Sequence, residues 1–348
     1  MHPAHPPNVT PHGRKTAVAP RRSDARAAEV TASAGGRWVA ASLLGLLVAL
    51  AAVAAAAQPT AKPYTAFYGR DLSVPFMMIG GVAVDSLHGE ILVSDNGRHE
   101  VAAFDTNGVL LGMFVHEVPG PDGALIDGMP SQLAIDRRGR ILLSDQRVSW
   151  VDVLDVRGRP VARLDLPAPD DDPLKSGAGA LAVRPDGTIL VATRGDSGRV
   201  YVFDRDYRRI GAWGVPGADS GQLSAITGIA VTPDLRTVVT CLKTRYAVQI
   251  FDPAGACLQG FGVHDHGPGN FSFPSGVTVT ADGRIWVSDG LRQVVQVFDS
   301  AGTLVEMVGG AGNGPGEFLN PCALASDGRE LLAVAERVGN RIQVMRAR

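Results

Sequence analysis

The sequence predicts an all-β chain in which six four-stranded sheets close into a ring, a six-bladed β-propeller. Three observations predict it. One order of apolar strands and turns recurs six times, the copies are almost evenly spaced, and a strand missing at the C-terminus has a match near residue 64. Self-similarity at a fixed period fixes the architecture before any single strand does.

The copies begin at Gly81, Gln132, Ala180, Gly228, Gly276 and, in a shorter form, Cys322. Each holds an apolar strand, a Gly or Asp-Gly turn, a second apolar strand ending near an acidic residue, and a third strand ending in Phe-Asp or its equivalent. Ala83, Ala134, Ala182, Ala230 and Thr278 mark one register, with spacings of 51, 48, 48 and 48 residues. One small sheet per repeat fits that length. The strands are rich in β-branched and aromatic residues between turn formers, as in Val200-Tyr-Val-Phe203. Ile91-Leu-Val93, Ile189-Leu-Val191 and Ile285-Trp-Val287 are apolar on both faces, so both faces must be covered. Six third strands but only five following fourth strands are present. Tyr64-Thr-Ala-Phe-Tyr-Gly69 resembles the ends of blades four and five and is expected to close blade six, removing its open edge.

Residues 1–37 are rich in Pro, Ala, Arg and Ser, lack an apolar pattern and are expected to be disordered. Trp38 to Ala57 then runs twenty residues without a charge, nine of them Ala. A basic stretch before an apolar run predicts export, with residues 38–57 either the apolar region of a signal peptide cut after Ala57 or a membrane anchor. The expected location is periplasmic or extracellular, with membrane contact only through residues 38–57. The propeller is expected over residues 62–348.

The 33 Lys and Arg and 35 Asp and Glu fall to 27 and 33 once residues 1–57 are set aside, a formal charge of −6. That argues against a nucleic-acid surface. Cys241, Cys257 and Cys322 are odd in number. Cys241 and Cys257 lie on strands two places apart, beyond disulfide reach, so mostly free and buried thiols are expected.

Gly339-Asn-Arg-Ile-Gln-Val-Met345 after Val334-Ala-Glu336 resembles the signature of NHL repeats, as does Val287-Ser-Asp289 followed by Gln296-Val-Phe298. Gly267-Pro-Gly-Asn-Phe271 and Gly314-Pro-Gly-Glu-Phe318 are similar to the linking segments of that family. The resemblance covers residues 64–348 and implies a six-bladed propeller. Blades three and four depart from it, with Thr193 and Cys241 in place of Asp or Glu.

Each second-to-third strand loop carries a cation: Arg98, Arg147, Arg194, Lys243, Arg292 and Arg337. They mark the candidate docking rim for a protein, peptide or glycan. The opposite face, with short turns such as Asp186-Gly187 and Asp282-Gly283, offers less surface to vary. Asp95, Asp145, Asp289 and Glu336 recur once per blade, which points to turn support rather than a metal ring. His264 and His266 flank a carboxylate but lack a third ligand, so they are weak metal candidates. His99 reads as structural, and His88 and His116 as isolated. Gluconolactonase- and paraoxonase-like propellers hold a divalent metal near the first-strand entries, and amidating lyases of similar fold hold zinc through His. The entries here, Gly80-Gly81, Ser131-Gln132, Gly179-Ala180, Thr227-Gly228, Ser275-Gly276 and Pro321-Cys322, carry no carboxylate, His or Asn. The sequence therefore predicts a non-enzymatic binding scaffold without a cofactor. A metal-dependent lyase or lactonase-type hydrolase is the alternative.

Overall fold

The computed structural model describes residues 60–71, 73–167 and 177–347. The expectations for residues 1–37 and 38–57 lie outside them. Among the described residues no helix is long and apolar enough to cross a membrane.

Six four-stranded antiparallel sheets form the ring, and five of them run in chain order from the inner to the outer strand. Blade 1 comprises Ile79–Asp85, Glu90–Asp95, Glu100–Asp105 and Leu110–Val115; blade 2 comprises Pro130–Ile135, Ile141–Asp145, Val151–Leu154 and Pro160–Leu164. Blade 3 follows with Ala178–Val183, Ile189–Thr193, Val200–Phe203 and Arg209–Trp213, and blade 4 with Ile226–Val231, Thr237–Cys241, Val248–Phe251 and Cys257–Phe261. Blade 5 holds Pro274–Val279, Ile285–Asp289, Val294–Phe298 and Leu304–Val308. Blade 6 takes Pro321–Ser326, Leu331–Glu336 and Arg341–Ala347 from the C-terminal end and Ala61–Phe67 from the N-terminal end. The second strands are buried on both faces, while outer strands such as Arg209–Trp213 are largely exposed. The core is therefore a set of blade-to-blade contacts rather than one central mass.

The closing strand is the expected one, but its bounds shift. It spans Ala61–Phe67 rather than residues 64–69, pairing Ala61 with Ala347 and Phe67 with Ile342. Gly69–Asp71 leaves the sheet and pairs with Val74–Pro75. Phe67 anchors the end of the strand, its ring 4.6 Å from Phe104 and 6.2 Å from Phe76. At the other end the Thr60 N–H donates to Glu306 of blade 5 at 2.8 Å. The closing segment thus touches blades 1, 5 and 6, so its loss opens the ring at two interfaces.

The three thiols are unbridged. Cys241 and Cys322 are buried as expected, but Cys257 is exposed because it opens an outer strand.

Closure predicts a large and local effect. Phe67→Ala removes a buried ring from the blade 6–blade 1 contact and is expected to lower the stability of the folded chain by about 3–5 kcal/mol. A chain beginning at Asp71 should lose cooperative unfolding altogether. Urea unfolding followed by fluorescence measures both; an unchanged midpoint in either would show that the ring does not depend on this strand.

Candidate functional site

Two faces flank the ring. One carries the outer-to-inner and second-to-third strand loops; the other carries the two sets of tight turns. The first is the rim on which the sequence places its candidate residues.

On this rim the incoming loops of blades 1, 2, 5 and 6 are tied to the blade they enter by the acid at the end of its second strand. Asp95 accepts the Met77 and Met78 N–H groups at 2.8 and 2.9 Å. Asp289 accepts those of Ser272 and Phe273 at 2.7 and 3.0 Å, and Glu336 that of Leu319 at 2.7 Å. Asp145 accepts the Met129 N–H at 2.5 Å. All four carboxylates are buried. Their role is to satisfy loop amides that would otherwise be orphaned. In blade 3 the Thr193 hydroxyl exchanges hydrogen bonds with the Arg199 backbone instead.

A second tie comes from the third strand. The Gln249, Gln296 and Gln343 side chains accept the N–H of Gly221, Gly269 and Gly316 and donate to the carbonyls of Gln222, Asn270 and Glu317. Leu223, Phe271 and Phe318 close the same three loops as fully buried plugs. The loop ending at Leu223 escaped the motif reading because Gly-Gln-Leu replaces Gly-Asn-Phe. Its register, 48 residues before the next copy, was the available signal.

Blade 2 replaces the glutamine with Asp152, and there the isolated reading of His116 is corrected. Its ring is buried between two aspartates, with Nδ1 3.0 Å from Asp145 and Nε2 3.3 Å from Asp152. Burial works against the cation, but the hydrogen bonds to both carboxylates outweigh it and the pKa is pushed up to about 9. His116 is thus an imidazolium tying the incoming loop to blade 2. His88 is not isolated either: it pairs with Asp85 at 2.7 Å, which raises its pKa. His99 bonds the Gly128 carbonyl at 2.6 Å, a structural contact.

The six rim cations divide by what their side chains touch. Arg292 donates to the carbonyls of Gly267 and Asn270 at 3.0 and 2.8 Å. Arg98 donates to Pro75 at 2.7 Å and Arg194 to Val148 at 3.0 Å. These three brace loops. Lys243 pairs with Asp196 at 2.9 Å on the surface. Arg147 and Arg337 are exposed. His264 and His266 are both exposed, and His266 Nδ1 lies 3.0 Å from the Ser272 hydroxyl. Among the described residues no three His, Cys, Asp or Glu side chains are placed to hold a metal ion.

Beneath the rim the central channel narrows. A Cβ on Gly81 would lie 2.6 Å from the Ser131 carbonyl oxygen, and one on Gly276 would lie 2.9 Å from the Ala323 Cα. Only glycine lets neighbouring inner strands approach so closely. Side chains then stitch the entries: Ser275 donates to the Pro321 carbonyl at 2.6 Å, Gln132 to Gly80 at 3.1 Å, and Ser94 to Ser131. The first-strand entries are thus spent on blade-to-blade contacts. Burial pushes the Cys241 and Cys322 thiols up to about 11, so neither is a thiolate at neutral pH. The channel widens toward the opposite face into a cavity of about 580 Å³, walled by residues such as Val84, Ile135, Val183 and Thr278.

The comparisons with known proteins agree on the architecture. A family model described as a 6-bladed beta-propeller matches residues 271–342. No curated protein matches the chain. Virginiamycin B lyase from Staphylococcus aureus superposes with a TM-score of 0.56 at 13% identity, over 83% of this chain and all of that one. A gluconolactonase from Xanthomonas campestris gives 0.55 at 17% identity, over 78% and 87% of the two chains. A protein of unknown function from Bacteroides thetaiotaomicron gives 0.61 at 15% identity, over 82% and 75%. At these identities the likeness establishes the fold alone. The chain is a six-bladed β-propeller.

The imidazolium makes stability pH-dependent in a defined direction. A folded pKa of about 9 lies above the ordinary value of 6.5. The contribution of His116 is therefore complete below pH ~6.5 and disappears as pH rises through ~9. Chemical denaturation of the wild type and His116→Gln should show a stability gap that narrows by roughly 3 kcal/mol across that window. A gap that stays constant, or widens with pH, would contradict the ion-paired assignment.

Proposed function

We propose that this chain is an exported NHL-type propeller that binds a protein or peptide partner on the rim of outer-to-inner and second-to-third strand loops, without catalysing a reaction. One observation carries the reading. On loops locked from below, Met77, Met78, Leu291 and Val338 are each at least 45% exposed. Leu291 and Val338 occupy the second-to-third loops of blades 5 and 6, and Met77 and Met78 the loop entering blade 1, so in ring order they are consecutive. The exposed Arg337 stands beside Val338.

Loops fixed by buried carboxylates and amides lose little further freedom on binding, so apolar contact there is converted efficiently into affinity. Thioether and aliphatic side chains suit the apolar side chains of a polypeptide and offer no hydrogen-bond donors to a glycan. Export rests on the charge-free run of residues 38–57 behind a basic leader. The resemblance of Gly339-Asn-Arg-Ile-Gln-Val-Met345 to NHL repeats supports the family reading.

Photo-crosslinking tests the site. A photoreactive residue at Leu291 or Val338 of the full chain, expressed in its source cell, should give one protease-sensitive adduct. The same residue at Leu111, on the outer strand of blade 1, should not. Arg147→Glu with Arg337→Glu should weaken the adduct several-fold, more at low salt than at high salt. Equal labelling from Leu111 would defeat the rim assignment. The enzyme reading is favoured by the ~580 Å³ channel and by the lyase and lactonase of like fold. One transition metal per purified chain, lost in His264→Ala/His266→Ala, would establish that reading in its place.

A further inference from the structure

The face opposite the rim is not uniform in charge. Its turns in blade 1 hold Asp85, Glu90 and Asp105 and no Lys or Arg. Its inner turns in blades 2 and 3 and the outer turn of blade 3 hold Arg137, Arg138, Arg140, Arg184, Arg205 and Arg208. The acids among them are occupied. Asp136 accepts the N–H of Arg138 and Arg140 and the Tyr207 hydroxyl, and Asp204 accepts the N–H of Asp206 and Arg208. Asp186 accepts the N–H of Thr188, and Asp206 pairs with Arg138 at 2.7 Å. Arg137, Arg205 and Arg208 are left exposed.

This surface is built, not merely charged. The inner turn of blade 2 and the outer turn of blade 3 are fastened by Tyr207. Its hydroxyl donates to Asp136 at 2.5 Å and accepts from Arg140 at 3.2 Å. The guanidiniums of Arg138 and Arg140 lie 5.9 and 5.6 Å from its ring centroid. Tyr207 has a φ of +67°, where the same turn of blades 1, 2, 4 and 5 has Gly108, Gly158, Gly255 and Gly302. A bulky residue in the left-handed region is strained, and the fold keeps it where it orders two arginines. Between these turns and the Asp186-Gly187 turn lies a cleft of about 280 Å³, walled by Arg137, Arg138 and Arg205. Arg137 also borders the mouth of the central channel.

We propose that this cleft and its arginines, on the turn face of blades 2 and 3, dock an acidic polypeptide segment of a partner protein. The site is separate from the rim described above and does not depend on it. A concave cleft with guanidiniums on its walls takes side-chain carboxylates, which an extended chain presents every ~3.3 Å on alternating sides. Asp136 and Asp186 in the lining, and the exposed Asp206, would repel a continuous run of nucleic-acid phosphates. A flat lipid surface would not enter the cleft. An acidic peptide can set neutral residues opposite those aspartates, which gives selectivity as well as attraction.

The test uses the full chain and a fluorescein-labelled dodecapeptide of alternating glutamate and serine, read by fluorescence anisotropy. Three proteins are compared: wild type, Arg137→Glu/Arg205→Glu/Arg208→Glu, and Lys62→Glu/Arg329→Glu/Arg346→Glu. The two triples change net charge equally, and the basic N-terminal residues are common to all three proteins. The expected result is salt-sensitive binding by wild type, weakened about ten-fold or more in the first triple and less than two-fold in the second. Thermal melts check that both triples fold; Arg137→Ala alone, which removes no hydrogen bond or ion pair among the described residues, should weaken binding in the same direction by about two- to five-fold. Equal loss in the two triples, no loss in Arg137→Ala, or no binding by wild type would overturn the proposal. So would tighter binding of a single-stranded oligonucleotide or of phosphatidylglycerol vesicles that is lost in the first triple.

Discussion

A carboxylate at the rim end of the second strand, turned back onto the amides of the incoming loop, is the contact on which the architecture depends. It fixes where blades 1, 2, 5 and 6 begin. Asp95, Asp145, Asp289 and Glu336 are buried acids whose oxygens meet loop N–H groups. A buried anion is costly unless it is fully hydrogen-bonded, so the loop must adopt the one path that brings its amides in. The glutamines of the third strand repeat the constraint from the neighbouring strand. Geometry is thus passed from blade to blade at the rim, and the blade interiors need only supply apolar bulk.

In blades 2 and 3 another group stands where the glutamine or the acid is missing. Thr193 binds backbone with its hydroxyl. Blade 2 keeps the acid but exchanges the glutamine for Asp152, and His116 becomes a cation held between two carboxylates. This substitution places a titratable cation in one joint of the ring. Closure follows a different rule: Phe67 packs on Phe104 of blade 1 and the Thr60 N–H donates to Glu306 of blade 5, so the closing strand holds both seams of blade 6.

The ring, its blade count and the borrowed strand were legible because they are written as period and strand inventory. The bounds of the closing strand were not, since Tyr68 and Gly69 have strand-like neighbours yet turn away to pair with Val74–Pro75. The recurring acids were legible as turn support from their once-per-blade spacing. The role of His116 was hidden, because its partners stand 29 and 36 residues away and meet it only after two blades pack. Likewise the rim arginines share one position in sequence but not one task. Arg292 braces a loop while Arg337 faces outward, a difference set by which carbonyls the neighbouring loop presents. The cleft beside Tyr207 was not legible, because it forms only where turns of blades 2 and 3 meet.

Hydrogen exchange of the rim loops tests the central claim most directly. The account predicts that the amides of Gly269, Ser272 and Phe273 exchange about as slowly as those of the buried strand Ile285–Asp289. It also predicts that Asp289→Ala frees the Ser272 and Phe273 amides while leaving the loops of the other blades protected. Rapid exchange of these amides in the wild type, or loss of protection around the whole ring in the variant, would contradict it.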